Sequence, residues 1–258
     1  MNALLLAAGY ATRLYPLTLH TPKPLLPVAG KPIARYMVEQ MERIVSVRRL
    51  LVVTNHRFAA QFQEWSNEVT SQECRFRIEV IDDGTDTNET RLGAIGDVAI
   101  ALERHTSLRE APLFVLGGDN LVDFALADLV DDFQARGGGA TVVALVHTRN
   151  PVQRRRSGVA TLDAIGRVVG FVEKPTEPAS DLTCPPFYVF PPAALALIAE
   201  YLAAGEPADA PGSFIAWLHR QAPVYGHVFE QERYDVGDPE SYAAACRLFE
   251  ARAAGQAS

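Results

Sequence analysis

Residues 4–18 read Leu-Leu-Leu-Ala-Ala-Gly-Tyr-Ala-Thr-Arg-Leu-Tyr-Pro-Leu-Thr, and residues 21–27 continue as Thr-Pro-Lys-Pro-Leu-Leu-Pro. A short apolar run that ends in small residues predicts a buried strand followed by an abrupt turn. Small side chains in such a turn let a ligand approach the backbone closely, and exposed N–H groups can wrap an anion. The stretch therefore predicts an anion-binding loop directly after the first strand.

Two cations, Arg13 and Lys23, lie in this loop, which three prolines stiffen. Arginine offers a planar fork of donors and lysine a compact point charge, so the two together suit a polyphosphate. We interpret the loop as a cradle for a triphosphate. The plainer alternative is a strand-to-loop turn that carries prolines and scattered charges.

Composition limits the kinds of function that the chain can have. With 258 residues, of which 48% are hydrophobic, it is long enough for a sizeable core in one large α/β domain or two small ones. A net charge of −7 argues against a nucleic-acid partner. Cys74, Cys184 and Cys246 form no CxxC pair, which argues against a zinc site or a disulfide framework. No basic leader precedes the first strand and no apolar run is long enough to span a bilayer, so we expect a cytoplasmic protein without a membrane partner.

Apolar periodicity divides the chain into strands and helices. In the first half, predicted strands alternate with predicted helices, which indicates right-handed βαβ units and a largely parallel sheet. Ligands of such sheets bind beyond the carboxyl ends of the strands. The loops that contain Gly9, Asn88 and Asp119 all follow strands at that edge, so we expect one crevice to collect them. The second half reads as strands at 141–146, 158–162, 168–172, 187–190 and 224–229, helices at 193–203, 213–220 and 239–253, and a tight turn at 234–237.

The first loop also resembles a known signature. Leu-Ala-Ala-Gly-x-x-Thr-Arg-Leu-x-Pro-Leu-Thr, then four residues, then Lys-Pro-Leu-Leu-Pro-Val-x-Gly-Lys-Pro is similar to the motif of the sugar-nucleotide pyrophosphorylases, which are sugar-1-phosphate nucleotidyltransferases. The resemblance implies a Rossmann-like three-layer α/β/α sandwich with a mostly parallel mixed central sheet. It also implies one nucleotidyltransferase domain over residues 1–258, here without a C-terminal β-helix. Ala11 departs from the motif, because the family usually has glycine at that position.

The resemblance implies a reaction and a nucleotide site. A sugar-1-phosphate oxygen would attack the α-phosphorus of a nucleoside triphosphate, and pyrophosphate would leave. Asn88 stands five residues before Gly93, where members that use dTTP or UTP have glutamine, so these two nucleotides are favoured and GTP and CTP stay open. The nucleotide-binding residues implied are Leu6, Ala8, Gly9, Ala11, Thr12, Arg13, Asn88 and Gly93.

The same resemblance implies the sugar-phosphate and metal sites. The sugar phosphate would bind Gly158, Glu173 and Lys174, although the sequence Glu-Lys-Pro taken alone would be read as a charged turn. Mg²⁺ would be held by Asp119 and Asp235, each of which could instead cap a turn or a helix entrance. Arg13, Lys23 and Lys174 would be the catalytic cations. Cys-Pro-Pro at 184–186 stands where the family has a small Thr-Gly pair, so the sugar itself is not implied.

Two other functions stay open. One is a cytidylyltransferase for a non-sugar phosphate such as phosphocholine, although Gly158 together with Glu-Lys-Pro favours a sugar. The other is a non-catalytic nucleotide-sensing subunit, although such relatives usually lose the cations and acids that this chain retains. A homo-oligomer also stays open.

Overall fold

The computed structural model describes residues 1–72 and 74–256, including every side chain in those ranges except Asp235 and Gln256. The strands are β1 Asn2–Leu6, β2 Pro27–Val28, β3 Lys31–Pro32, β4 Arg49–Thr54, β5 Arg77–Asp82, β6 Leu113–Gly117, β7 Asn120–Val122, β8 Thr141–His147, β9 Gly158–Leu162, β10 Val168–Glu173, β11 Leu182–Cys184, β12 Phe187–Phe190, β13 Val224–Phe229 and β14 Arg233–Asp235. The helices are α1 Ile33–Glu42, α2 Ala59–Ser71, α3 Ala94–Arg104, α4 Leu126–Ala135, α5 Pro151–Arg155, α6 Pro192–Ala203, α7 Pro211–Leu218 and α8 Pro239–Gln256.

The described strands build a ten-stranded mixed sheet in the order β10-β9-β11-β8-β12-β6-β1-β4-β5, and β13 pairs with β8. Strands β4, β5, β6, β8, β9 and β13 run in the direction of β1, while β10, β11 and β12 run against it. The sheet is therefore mostly parallel in strand direction, as predicted. The carboxyl ends of β1, β5 and β6 meet at one edge, which brings the loops after them together.

Helices cover both faces of the sheet because successive side chains on a strand point to opposite sides. Ala3 and Leu5 of β1 belong to the cluster beneath α1, α2 and α4, whereas Leu4 belongs to the cluster beneath α3, α6 and α7. This is the predicted three-layer α/β/α sandwich. A third, smaller cluster packs α8 against the loop after β1, with Ala245 of the helix and Leu14 and Leu26 of the loop among its members.

Several boundaries differ from the sequence-based expectations. Helix α4 was not predicted, although Leu126, Leu129, Val130 and Phe133 have helical spacing and are buried. The tight turn expected at 234–237 is wrong, because Arg233–Asp235 is a strand that pairs antiparallel with β7. Its partner lies more than a hundred residues earlier in the chain, so local turn signals could not reveal the pairing.

None of the described helices combines the length and the apolar character needed to cross a bilayer.

Candidate active site

The loop after β1 turns at Ala11. This residue has φ 47° and ψ 43°, which is the left-handed conformation that glycine adopts most easily. Its carbonyl accepts hydrogen bonds from the Leu14 N–H at 2.9 Å and from the Thr18 hydroxyl at 2.9 Å. The turn requires a positive φ at this position, which explains why glycine is favoured there. Alanine can adopt the same φ, but its Cβ atom makes the conformation strained.

This loop forms one wall of a cavity of about 430 Å³, which we call the central cavity. Three charged residues reach it from separate parts of the chain: Arg13 from the loop, Lys23 from a short 3₁₀ helix and Asp119 from the turn after β6. The complete lining is Leu6, Ala7, Gly9, Ala11, Thr12, Arg13, Lys23, Pro24, Ala94, Gly117, Asp119, Pro186, Pro211 and Gly237.

Lys23 and Asp119 form an ion pair on the cavity wall. Lys23 Nζ lies 2.8 Å from Asp119 Oδ2, and the Asn120 side-chain amide donates to Asp119 Oδ1 at 2.7 Å. Burial opposes the charge on Asp119, but the ammonium of Lys23 and the more distant Arg233 hold the pKa of this carboxyl below its ordinary value. The Lys23 side chain is only 8% exposed while that of Asp119 is 43% exposed, so the carboxylate is the accessible member of the pair.

Asp235 reaches the same region through its backbone. Strands β14 and β7 pair so that Asp235 lies opposite Asn120, the residue after Asp119. The side chain of Asp235 is outside the described part of the structure. Arg233, two residues earlier, donates from Nη1 to Asn120 Oδ1 at 3.1 Å. Arg233 was not predicted as a site residue, because nothing in the sequence indicates that β14 adjoins β7.

A smaller cavity of about 200 Å³ adjoins the central cavity, and the two share Leu6, Gly9 and Ala94. We call it the side cavity. Five of the predicted nucleotide-binding residues line it: Leu6, Ala8, Gly9, Asn88 and Gly93. The rest of its lining is Tyr10, Asp83, Arg91, Ala94, Asp97 and Asp209. The expected single crevice is therefore a pair of neighbouring cavities.

Asp83 and Asp97 of the side cavity were not predicted as site residues. Asp97 lies in the first turn of α3, where an acidic residue is an ordinary helix feature, so its position gave no functional signal. In the structure both residues are buried. Burial, together with the charge of Asp83 and a hydrogen bond with it, raises the pKa of Asp97 to about 8.

The predicted sugar-phosphate residues lie beside the cavities rather than on their described walls. Glu173 ends β10 and pairs in register with Gly158 of β9. A Cβ atom at Gly158 would come within 2.8 Å of Glu173 Oε2, so the missing side chain leaves room for this carboxylate. Burial raises the pKa of Glu173, and the neighbouring charge of Lys174 opposes that rise. Lys174 Nζ lies 4.0 Å from Glu173 Oε1, on a backbone with φ 49°.

One segment, Ala208–Gly212, connects these places, and we call it the linking segment. Its carbonyls accept from the first N–H groups of α3, Ile95 to Ala208 at 2.9 Å and Ala94 to Asp209 at 3.3 Å. Asp209 also pairs with Arg91 at 2.8 Å on the side cavity. Further along, Pro211 lines the central cavity and Gly212 lies against the carboxylate of Glu173. The linking segment thus brings Glu173 next to the central cavity.

The charged residues present fit a Mg²⁺ ion. Among the described side chains no group of three or more His, Cys, Asp or Glu residues could hold a metal together. Mg²⁺ does not require such a group, because it is typically held by one or two carboxylates plus substrate phosphates and waters. Asp119 supplies an accessible, ionised carboxylate facing a cavity that two cations make suitable for phosphates.

Comparisons with known proteins agree with this architecture. Mannose-1-phosphate guanylyltransferase catalytic subunit beta from Danio rerio is 29% identical over 250 residues, which cover 96% of this chain and 64% of the relative. Mannose-1-phosphate guanyltransferase beta-B from Xenopus laevis is 34% identical over 196 residues, 76% of this chain and 51% of the relative. The chain therefore spans less than two thirds of the length of these curated relatives.

Among solved structures, UDP-glucose pyrophosphorylase complexed with UDP-glucose matches with a TM-score of 0.79 at 20% identity, covering 97% of this chain and 98% of that one. This likeness confirms the predicted fold. The family model for nucleotidyl transferases matches residues 2–252. The resemblance first noticed in the loop after β1 thus extends over nearly the whole chain, which belongs to the nucleotidyl transferase family.

Proposed function

We propose that the chain transfers a nucleotidyl group from a nucleoside triphosphate to a sugar-1-phosphate and releases pyrophosphate. The observation that carries this proposal is the convergence of Arg13, Lys23 and Asp119 on the central cavity, with the side cavity adjoining it and Glu173 lying against Gly212, the residue after the cavity-lining Pro211. A triphosphate in the central cavity would place its base in the side cavity and its α-phosphorus toward the sugar phosphate.

The reaction needs positioning more than proton transfer. The attacking sugar-phosphate oxygen is already an anion at neutral pH, so it can form its bond to the α-phosphorus without a general base while the bond to pyrophosphate breaks. The obstacle is repulsion between two anions, which costs several kcal/mol in a partly dry site. Arg13 and Lys23 would neutralise the triphosphate, and Lys174 would neutralise the sugar phosphate beside Glu173. Glu173 would accept hydrogen bonds from sugar hydroxyls.

Mg²⁺ would be held by Asp119, and we propose Asp235 as the second carboxylate. When bound, this ion supplies positive charge that stabilises the phosphate oxygens as the bonds change. The ion pair with Lys23 keeps Asp119 ionised and oriented for this task.

We also propose that residues 1–258 form one nucleotidyltransferase domain that acts in the cytoplasm on small molecules. Unpaired Cys74, Cys184 and Cys246 suit a reducing compartment. For the nucleotide, Asn88 on the side cavity supports dTTP or UTP, whereas the curated relatives are named for guanylyl transfer.

The experiment is pyrophosphate release from a panel of nucleoside triphosphates and sugar-1-phosphates with Mg²⁺, with phosphocholine as the non-sugar acceptor. We expect Lys23→Ala to lower turnover by roughly 10²-fold or more, because the charge would be lost where negative charge develops. Lys31→Ala is the matched control, since Lys31 pairs with Glu39 at 2.7 Å and does not line either cavity. A folded Asp119→Ala variant that releases pyrophosphate at the wild-type rate would refute the metal assignment. If phosphocholine were the one acceptor of the panel that supports pyrophosphate release, the assignment of a sugar-1-phosphate substrate would be refuted.

A further inference from the structure

Arg233 approaches the active site from the side away from the central cavity, and the proposed reaction gives it no role. A third cavity, of about 870 Å³, is formed by residues 146–150, residues 230–234 and α8, and we call it the outer cavity. Arg233 lines the outer cavity, whereas Asp119 lines the central cavity. Asn120 lies between the two side chains and is only 2% exposed. The guanidinium therefore reaches the carboxylate through a buried amide.

Two hydrogen bonds make this connection. Arg233 Nη1 donates to Asn120 Oδ1 at 3.1 Å, and Asn120 Nδ2 donates to Asp119 Oδ1 at 2.7 Å. A side-chain amide has an acceptor at one end and donors at the other, while an arginine side chain has donors only. The guanidinium must therefore face the oxygen of Asn120, which leaves the NH₂ group to face Asp119. Arg233 thus fixes which way the amide is turned.

The amide in turn holds one oxygen of the carboxylate. Gly117 leaves room for this contact, because a Cβ atom there would lie 2.8 Å from Asn120 Nδ2 and 3.3 Å from Asp119 Oδ1. Lys23 Nζ holds the other oxygen, Asp119 Oδ2, at 2.8 Å. Each oxygen keeps a further lone pair and the side chain is 43% exposed, so the oriented carboxylate can still meet a cation.

Arg233 also belongs to the strand that carries the second proposed metal ligand. Strand β14 pairs with β7 so that the backbone of Asp235 lies opposite Asn120. The side-chain hydrogen bond from Arg233 adds a second link between β14 and the turn of Asp119. Hydrogen-bonding partners of this kind matter to metal sites, because their loss typically lowers metal affinity or activity by about 10- to 100-fold.

We propose that Arg233 is a positioning residue for the metal ion, and that it acts through Asn120 to hold the Asp119 carboxylate in its metal-binding orientation. This inference rests on the proposed function, since it takes Asp119 as a ligand of Mg²⁺. Arg233 is not itself a ligand, because its guanidinium carries positive charge and has no acceptor. Its charge alone would repel the ion, so its benefit to the ion lies in orienting Asp119.

The test is Mn²⁺ binding to the full chain without substrate, followed by the loss of the electron paramagnetic resonance signal of the free ion. We expect Arg233→Met, which keeps the apolar stem and removes the donors, to weaken Mn²⁺ binding by about tenfold or more. Loss of charge alone would tighten binding of a cation, so the two effects have opposite signs. Arg149→Met is the matched control, because Arg149 is an exposed arginine of the same cavity and its loss should not weaken binding.

Two further measurements separate positioning from a general structural role. The Mg²⁺ concentration for half-maximal pyrophosphate release should rise by about tenfold in Arg233→Met, while the KM for the sugar-1-phosphate stays within about twofold. The double variant Arg233→Met/Asn120→Ala should bind Mn²⁺ within about twofold of Asn120→Ala, because both changes break the same connection. Thermal midpoints check that each variant is folded. If Arg233→Met does not fold, Arg233→Gln replaces it with the same direction expected, because its amide can face Asn120 with either end.

Unchanged or tighter Mn²⁺ binding in the folded Arg233 variant would overturn the proposal, and so would an equal loss in Arg149→Met. Fully additive losses in the double variant would also overturn it, because Arg233 would then not act through Asn120. Pyrophosphate release by the wild-type chain, combined with unchanged Mn²⁺ binding in the Arg233 variant, removes the positioning role alone. Weakened Mn²⁺ binding in that variant, with no release by the wild-type chain from any substrate pair, removes the proposed reaction alone.

Discussion

Gly212 offers the sharpest test of the sugar side of the site. A Cβ atom added there would lie 3.0 Å from Glu173 Cδ and closer still to its Oε2. Since ordinary contact begins near 3.4 Å, the carboxylate of a Gly212→Ala variant must move by on the order of 1 Å or more. Because the Glu173 side chain can rotate, the protein should accommodate the methyl group with little loss of stability. The carboxylate, however, would no longer be oriented to bind the sugar.

The expected kinetic effect follows from the lost hydrogen bond. A hydrogen bond to a charged group is worth about 1.5–3 kcal/mol, which corresponds to a fall of roughly 10- to 150-fold in kcat/KM for the sugar phosphate. The KM for the nucleoside triphosphate should stay within about twofold, because the side cavity is not touched. The assay is pyrophosphate release with each substrate varied in turn, with the thermal midpoint measured alongside.

Gly139→Ala is the matched control, because a Cβ atom there would meet nothing within 4 Å. If Gly212→Ala retained the wild-type kcat/KM for the sugar phosphate, the assignment of Glu173 to the sugar site would be refuted. If the variant lost nucleotide affinity instead, the linking segment would have moved as a whole.

Two further predictions concern stability. Ala11→Gly should raise the free energy of unfolding by up to about 1 kcal/mol, because relief of the left-handed strain at φ 47° outweighs the added chain entropy; a lower denaturant midpoint would contradict this. The folded state holds a proton on Asp97 that the unfolded chain releases, since its pKa is raised from 3.8 to about 8, so stability should fall as pH rises through this window. Asp97→Asn should flatten this pH dependence, and the variant should melt at a higher temperature than the wild type at about pH 9. The measurement is the thermal midpoint of both proteins between about pH 6 and pH 9. If the midpoints of the two proteins changed equally with pH, the acid pair of Asp83 and Asp97 would not hold the proton.

The fold was largely predictable because its main signals are local. Apolar runs such as Leu50–Thr54 are buried strands, and their alternation with helices gave the three-layer arrangement. Loops that follow parallel strands must meet at one edge, which is why Asn88 and Asp119 could be expected beside the loop after β1. Helix α4 could also have been predicted, because its apolar residues recur with helical spacing in the sequence.

The parts that escaped prediction depend on contacts between distant residues. Arg233 matters only because β14 pairs with β7, and the linking segment matters only because its backbone meets the start of α3. Whether an acidic residue on the first turn of a helix faces water or another acid is decided by the packing around it, so Asp97 could not be recognised from its position. The sequence likewise showed only that Ala11 replaces the glycine of the motif, and not that this residue has a strained, left-handed backbone.

The linking segment has a consequence for how this enzyme family could change its substrates. At one end of the segment Ala208 and Asp209 support the start of α3 beside the side cavity, and at the other end Gly212 sets the room for Glu173. Replacing these five consecutive residues with those of a relative would change the surroundings of both the side cavity and Glu173 in one step. A point change at Asp83 or at Gly158 would change only one of the two. Sequence changes in the linking segment would therefore tend to alter the preferences for the nucleoside triphosphate and for the sugar-1-phosphate together. We expect chimeras that exchange this segment to shift both substrate preferences at once.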